Sequence, residues 1–155
     1  MPDGGTHHKY YNRGYIVSIP VGIITSLWEW KFGLGYVVGY SLGRYVDPDW
    51  DLMGTNAGEG RMVNEIPILG HLVFGVSSSY GSIFRKHHRS FWTHFPVVST
   101  LIRLIFITVV PFVFLDSWGI NLIGNEWYLF WLGLWAGLSH ADAIHYYLDI
   151  TYSGV

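Results

Sequence analysis

Pro96 to Leu115 reads PVVSTLIRLIFITVVPFVFL, twenty residues with a single charge, Arg103. A helix rises ~1.5 Å per residue, so a stretch of this length covers roughly 30 Å, the hydrocarbon thickness of a bilayer. Pro96 suits the first turn, where a missing N–H costs nothing. Immediately before it stands HHRSFWTHF, His87 to Phe95, which holds three of the chain's eight histidines. Arg85, Lys86 and Arg89 add positive charge to the same stretch. A set of potential metal ligands therefore abuts a segment long enough to span a membrane.

The composition agrees with that class. Of 155 residues, 50% are hydrophobic and only 13% are charged, whereas a soluble domain carries about 25% charged residues. Aromatics make up 18%, including eight Trp and eleven Tyr, the two residues that favour membrane–water interfaces. The mean hydropathy is +0.28. The length suits one domain, residues 1–155. A net charge of −2 excludes bulk attraction to nucleic acid. There is no cysteine, which excludes disulfides, thiolate metal sites and a Cys nucleophile. Any metal must be held by imidazole and carboxylate.

Residues 1–13 are polar, carry His7 and His8, and lack the apolar stretch of a signal peptide. They are expected to form an N-terminal arm. Gly14 to Trp30, GYIVSIPVGIITSLWEW, reaches roughly 25 Å as a helix, with Pro20 as a site for a kink and Trp28 and Trp30 at an interface. The segment from Leu34 to Tyr45 is apolar, with Gly35, Gly39 and Gly43 at i, i+4 and i+8. Such a stripe lets two helices approach closely in lipid. Residues 14–45 are expected to pair as a helical hairpin. Val46 to Glu65 is polar and glycine-rich, and Ile66 to Phe84 suits an interfacial helix. Residues 46–95 thus form a loop carrying that helix. Residues 96–149 supply two further spans, the last being Trp127 to Asp149. The expected fold is all-α and integral to the membrane, with about four transmembrane helices and an interfacial segment.

Basic residues orient it. Lys9 and Arg13 precede the first span, Arg44 ends the second, Arg61 lies in the loop, and Arg85, Lys86 and Arg89 precede the third. The positive-inside rule places both termini and the loop in the cytoplasm. His7, Asp47, Asp49, Asp51, His88, His94, His145 and Asp149 then all fall at one membrane face.

In the last helix His145 and Asp149 are i, i+4 and share a face, with Asp142 three residues before His145. This pair suits a divalent cation, or equally a His–Asp contact packing a helix end. His140 lies about 140° around the wheel from His145 and stands outside a first shell. Asp47, Asp49 and Asp51 alternate, so an extended chain puts them on one side, as a cation site or a solvated acidic turn. His88 and His94 converge only if the chain turns between them; otherwise the stretch is a basic interfacial anchor. Arg89 suits a phosphate or an Asp partner. An imidazole and carboxylate set suits zinc, manganese, magnesium or iron. Gly39 to Gly43, GYSLG, matches a nucleophile elbow in letters only, because it lies inside an apolar helix and not between strand and helix.

These residues also carry a resemblance. The chain is similar to a family of metal-binding membrane proteins whose members open Met-Pro-x-Gly-x-Thr-His, here Met1, Pro2, Gly4, Thr6 and His7. The family's Pro-Asp-x-Asp stands at Pro48 to Asp51, its His-Arg-Ser-x-x-(Ser/Thr)-His at His88 to His94, and its late His-x-x-x-Asp at His145 and Asp149. The chain more distantly resembles the YdjM-type membrane-bound metal-dependent hydrolases, whose His-Arg element is one residue shorter. The resemblance implies one or two divalent ions held by His7, Asp49, Asp51, His88, His94, His145 and Asp149. It further implies hydrolysis of phosphoesters or lipids at the cytoplasmic membrane surface, with Arg89 neutralising phosphate charge. The alternative is a non-catalytic membrane subunit of a larger complex, or a homo-oligomer, with a structural metal. A transporter fits less well, because the charged groups gather at one face and not at the midplane.

Overall fold

The computed structural model describes residues 4–43, 45, 46, 67–84, 86, 95–116 and 127–153. It is all-α. Among the described residues five helices follow one another: α1 (Gly4–Ser26), α2 (Trp30–Leu42), α3 (Pro67–Phe84), α4 (Pro96–Asp116) and α5 (Tyr128–Ser153). The chain divides into two compact units: Met1–Asp47 with Leu129–Val155, and Pro48–Tyr128.

The first unit is built from α1, α2 and α5. The α1–α2 hairpin forms within the expected 14–45 range, but α1 starts at Gly4, so the described part of the expected arm is already helical. Tertiary contact explains this: Tyr11 is buried against Tyr40 and Ala141 in the unit's core, with Tyr15 and Ile144 packed on it. The turn closes through Glu29 N–H donating to Thr25 O at 2.9 Å. The Glu29 carboxylate then accepts from Lys31 N–H at 3.3 Å and caps α2, a favourable place for negative charge.

Glycines set the seams. A Cβ at Gly35 would overlap the Phe130 carbonyl, one at Gly39 the Leu134 carbonyl, and one at Gly43 the Ala141 side chain. The reverse also holds: Gly133 abuts the Phe32 carbonyl and Gly137 the Tyr36 carbonyl. The expected small-residue stripe therefore meets a matching one, Gly133, Gly137 and Ala141, with backbone on backbone. The register rises together along both helices, so α2 and α5 run parallel. In the hairpin, Gly22 lies against Val37 and Gly33, while Tyr11 and Gly14 lie against Tyr40, so α1 runs antiparallel to α2. The first half of α1, the end of α2 and the last half of α5 thus share one end of the unit.

The second unit contains α3 and α4. Pro96 opens α4, and Ser99 N–H donates to Phe95 O at 2.9 Å. Tyr80 and Phe84 of α3 stack against Phe106 of α4, with the Tyr80 and Phe106 rings 5.4 Å apart at 87°, the edge-to-face geometry aromatic pairs prefer. Ser99, Thr100 and Arg103 are buried on α4, and Arg103 Nε donates to Ser99 O at 3.3 Å.

Among the described residues no helix is long and apolar enough to cross a membrane. In the first unit the reasons are local. With 13 residues, α2 covers only ~20 Å against the ~30 Å of a hydrocarbon core. The opening turns of α1 are polar, and the last half of α5 carries Asp142, His145 and Asp149.

Candidate metal centre

At the shared end of the first unit, α5 presents His145 and Asp149 from consecutive turns. His145 Nε2 lies 3.2 Å from Asp149 Oδ2, with the imidazole 1% exposed and the carboxylate 24% exposed. On the other side of the ring, the Tyr11 hydroxyl lies 3.4 Å from Nδ1. Tyr11 is held in turn by its backbone, whose carbonyl accepts from Tyr40 Oη–H at 2.8 Å. The ring is therefore gripped from α1 while Nε2 faces the partly exposed carboxylate.

The donor pair fits a divalent ion. Two ligand atoms each ~2.1 Å from a tetrahedral zinc stand about 3.4 Å apart, close to the observed 3.2 Å. One nitrogen and one oxygen are also the donor types that zinc, manganese and iron accept. Asp142 is buried within the same helix. Among the described residues no three His, Asp or Glu side chains gather around one point. His145 and Asp149 are thus the expected ligands that the structure brings together. The backbone of His7 lies in α1 one turn before Tyr11, toward the same end of the unit, and its side chain lies outside the described residues. Asp49, Asp51, His88, Arg89 and His94, with the acidic neighbour Asp47, also lie outside them.

His140 is engaged elsewhere. Its Nδ1 lies 2.6 Å from the Tyr36 hydroxyl of α2, and its ring lies 5.2 Å from that of Tyr40. Tyr36, Tyr40 and Tyr11 belong to no motif that the sequence displays. Only Tyr11 left a signal, its i, i+4 spacing from His7. Comparison with known families, curated proteins and solved structures returns no match.

Proposed function

We propose that this chain is a membrane-embedded metal-binding protein, a metal-dependent hydrolase acting on phosphoesters or lipids at the cytoplasmic membrane surface. The observation that carries the metal reading is the His145–Asp149 pair at 3.2 Å, gripped by Tyr11 at the polar end of the first unit. His7, whose backbone lies toward the same end of the unit, would add a further ligand. A bound divalent ion lowers the pKa of a coordinated water and supplies hydroxide near neutral pH. Around it, Asp149 would hold charge at the solvent side and Tyr11 would fix the imidazole.

The membrane setting is supported by the outer surface of the same unit. Ile16, Val17, Ile19, Ile23, Ile24 and Leu27 of α1 are all exposed, Ile16 at 77%. Leu34 of α2 and Leu132 of α5 extend the exposed apolar surface. This band is bounded at one end by Lys9 and Arg13, and at the other by Trp28, Trp30 and Lys31, with Lys31 Nζ 5.8 Å from the Trp30 ring centre. A contiguous apolar surface of this kind, rimmed by aromatic and basic residues, suits lipid far better than water.

The test is the metal content of the full chain, purified in detergent, by plasma mass spectrometry. Stoichiometric metal is expected in the wild type and its loss in both His145→Ala and Asp149→Ala. Metal-free wild type indistinguishable from the variants would refute the metal reading. Metal-loaded protein that is folded yet leaves a broad panel of phosphoesters and lipid esters intact would refute the hydrolase and favour the structural-subunit alternative, for which the exposed apolar band would be the surface that meets partner helices.

A further inference from the structure

We infer that Tyr11 is the positioning residue of the candidate metal centre: its hydroxyl fixes the orientation and the tautomer of His145, so that Nε2 faces Asp149. The inference rests on the metal reading for its purpose and on the geometry alone for its content. Three observations carry it. The hydroxyl reaches Nδ1 at 3.4 Å from a different helix. Tyr11 and His145 are both buried, so water does not compete freely for that nitrogen. The Tyr11 backbone is anchored independently, by the 2.8 Å hydrogen bond from Tyr40 and by the Tyr11–Tyr40–Ala141 core.

A neutral imidazole carries its proton on one nitrogen and a lone pair on the other, and the partner of one decides the role of the other. A phenol hydroxyl both donates and accepts, so Tyr11 serves in either sense. When Tyr11 donates to Nδ1, the ring proton sits on Nε2 and lies beside the Asp149 carboxylate, where it relieves the clash of two lone pairs. When Nδ1–H donates to Tyr11 Oη, the Nε2 lone pair is turned toward a cation shared with Asp149. The ring stays neutral in both states; one proton changes nitrogen. Outer partners of this kind orient a ligating histidine, and their loss costs ~10–100-fold in metal affinity. Neither the ring nor the Tyr40 contact needs the hydroxyl to keep its place, because Tyr40 bonds the Tyr11 carbonyl and the phenyl ring alone fills the core.

The test uses Tyr11→Phe, with Tyr36→Phe as the comparison, because the Tyr36 hydroxyl meets His140 and not His145. The full chain in detergent is labelled at its histidine ring nitrogens, and the His145 signals are those missing from His145→Gln. In metal-free wild type the nitrogen spectrum is expected to show Nε2 protonated and Nδ1 accepting. Zinc should reverse the two. Tyr11→Phe should give mixed tautomers without zinc and bind zinc ~10–100-fold more weakly, with an unchanged helical spectrum. Tyr36→Phe should leave both His145 signals in place. If Tyr11→Phe leaves the tautomer and the zinc affinity as in wild type, the inference is overturned. If the tautomer shifts in Tyr11→Phe while wild type binds no zinc, the Tyr11 assignment stands and the metal reading falls.

Discussion

His140 and His145 stand on the same helix and meet different neighbours. His145 turns toward α1 and the Tyr11 hydroxyl, and His140 turns toward α2, where it meets Tyr36 at 2.6 Å and the Tyr40 ring. The helical wheel alone separates the two faces, because ~100° per residue is a property of the backbone. It does not supply the partner. Tyr36 is 104 residues away from His140 in the chain, and no spacing rule reaches that far. The Tyr36–His140 contact is part-buried and short, so Tyr36→Phe is expected to destabilise the first unit by about 1–3 kcal/mol and to leave metal content unchanged. Denaturant titration in mixed micelles, followed by helical circular dichroism, measures the first. Metal lost on Tyr36→Phe would instead tie His140 to the candidate centre.

At the scale of elements, the seam between α2 and α5 is set by small residues on both sides. The stripe at Gly35, Gly39 and Gly43 is visible in the letters, and so is its meaning as a close-packing face. Its counterpart at Gly133, Gly137 and Ala141 is equally visible, yet a stripe does not name the helix that fills it. The mutual fit does. Because the Gly39 Cβ position is occupied by the Leu134 backbone, Gly39→Ala must push two helices apart. A cost of about 1–3 kcal/mol is expected, the usual penalty of overpacking. Gly75 of α3 is the opposite case, with nothing within 4 Å of its Cβ position. Gly75→Ala is expected to stabilise by about 0.5–1 kcal/mol through helix propensity alone. The two variants, unfolded under the same conditions, should move in opposite directions. A Gly39→Ala protein as stable as wild type would mean that the seam is looser than described.

For the whole molecule, the direction of each helix in the first unit fixes which residues share an end. Because α1 is antiparallel to α2 and α2 is parallel to α5, Lys9 and Thr151 lie at the end that carries His145 and Asp149, and Leu27 lies at the other. The chain has no cysteine, so single cysteines report their side of a membrane cleanly. Lys9→Cys and Thr151→Cys are expected to react with a membrane-impermeant maleimide in inverted vesicles, and Leu27→Cys in intact cells. Labelling of Leu27→Cys and Lys9→Cys from the same side would overturn the membrane-embedded reading of this unit.

Local sequence is enough for the helical class, for the helices at Pro67–Phe84 and from Pro96, and for His145 and Asp149 sharing a face of α5. Each is a local property: apolar runs, proline at a first turn, or two residues one helical turn apart. Long-range packing sets the start of α1 at Gly4, brings Met1–Asp47 and Leu129–Val155 into one unit, and seats the Tyr11 hydroxyl beside His145. The physical reason is common to all three. A polar opening segment has no strong helical signal, and it becomes helix when Tyr11 is buried against Tyr40 and Ala141. Contacts between residues far apart in the chain depend on which surfaces fit at backbone distance, and that fit is a property of helices already placed side by side.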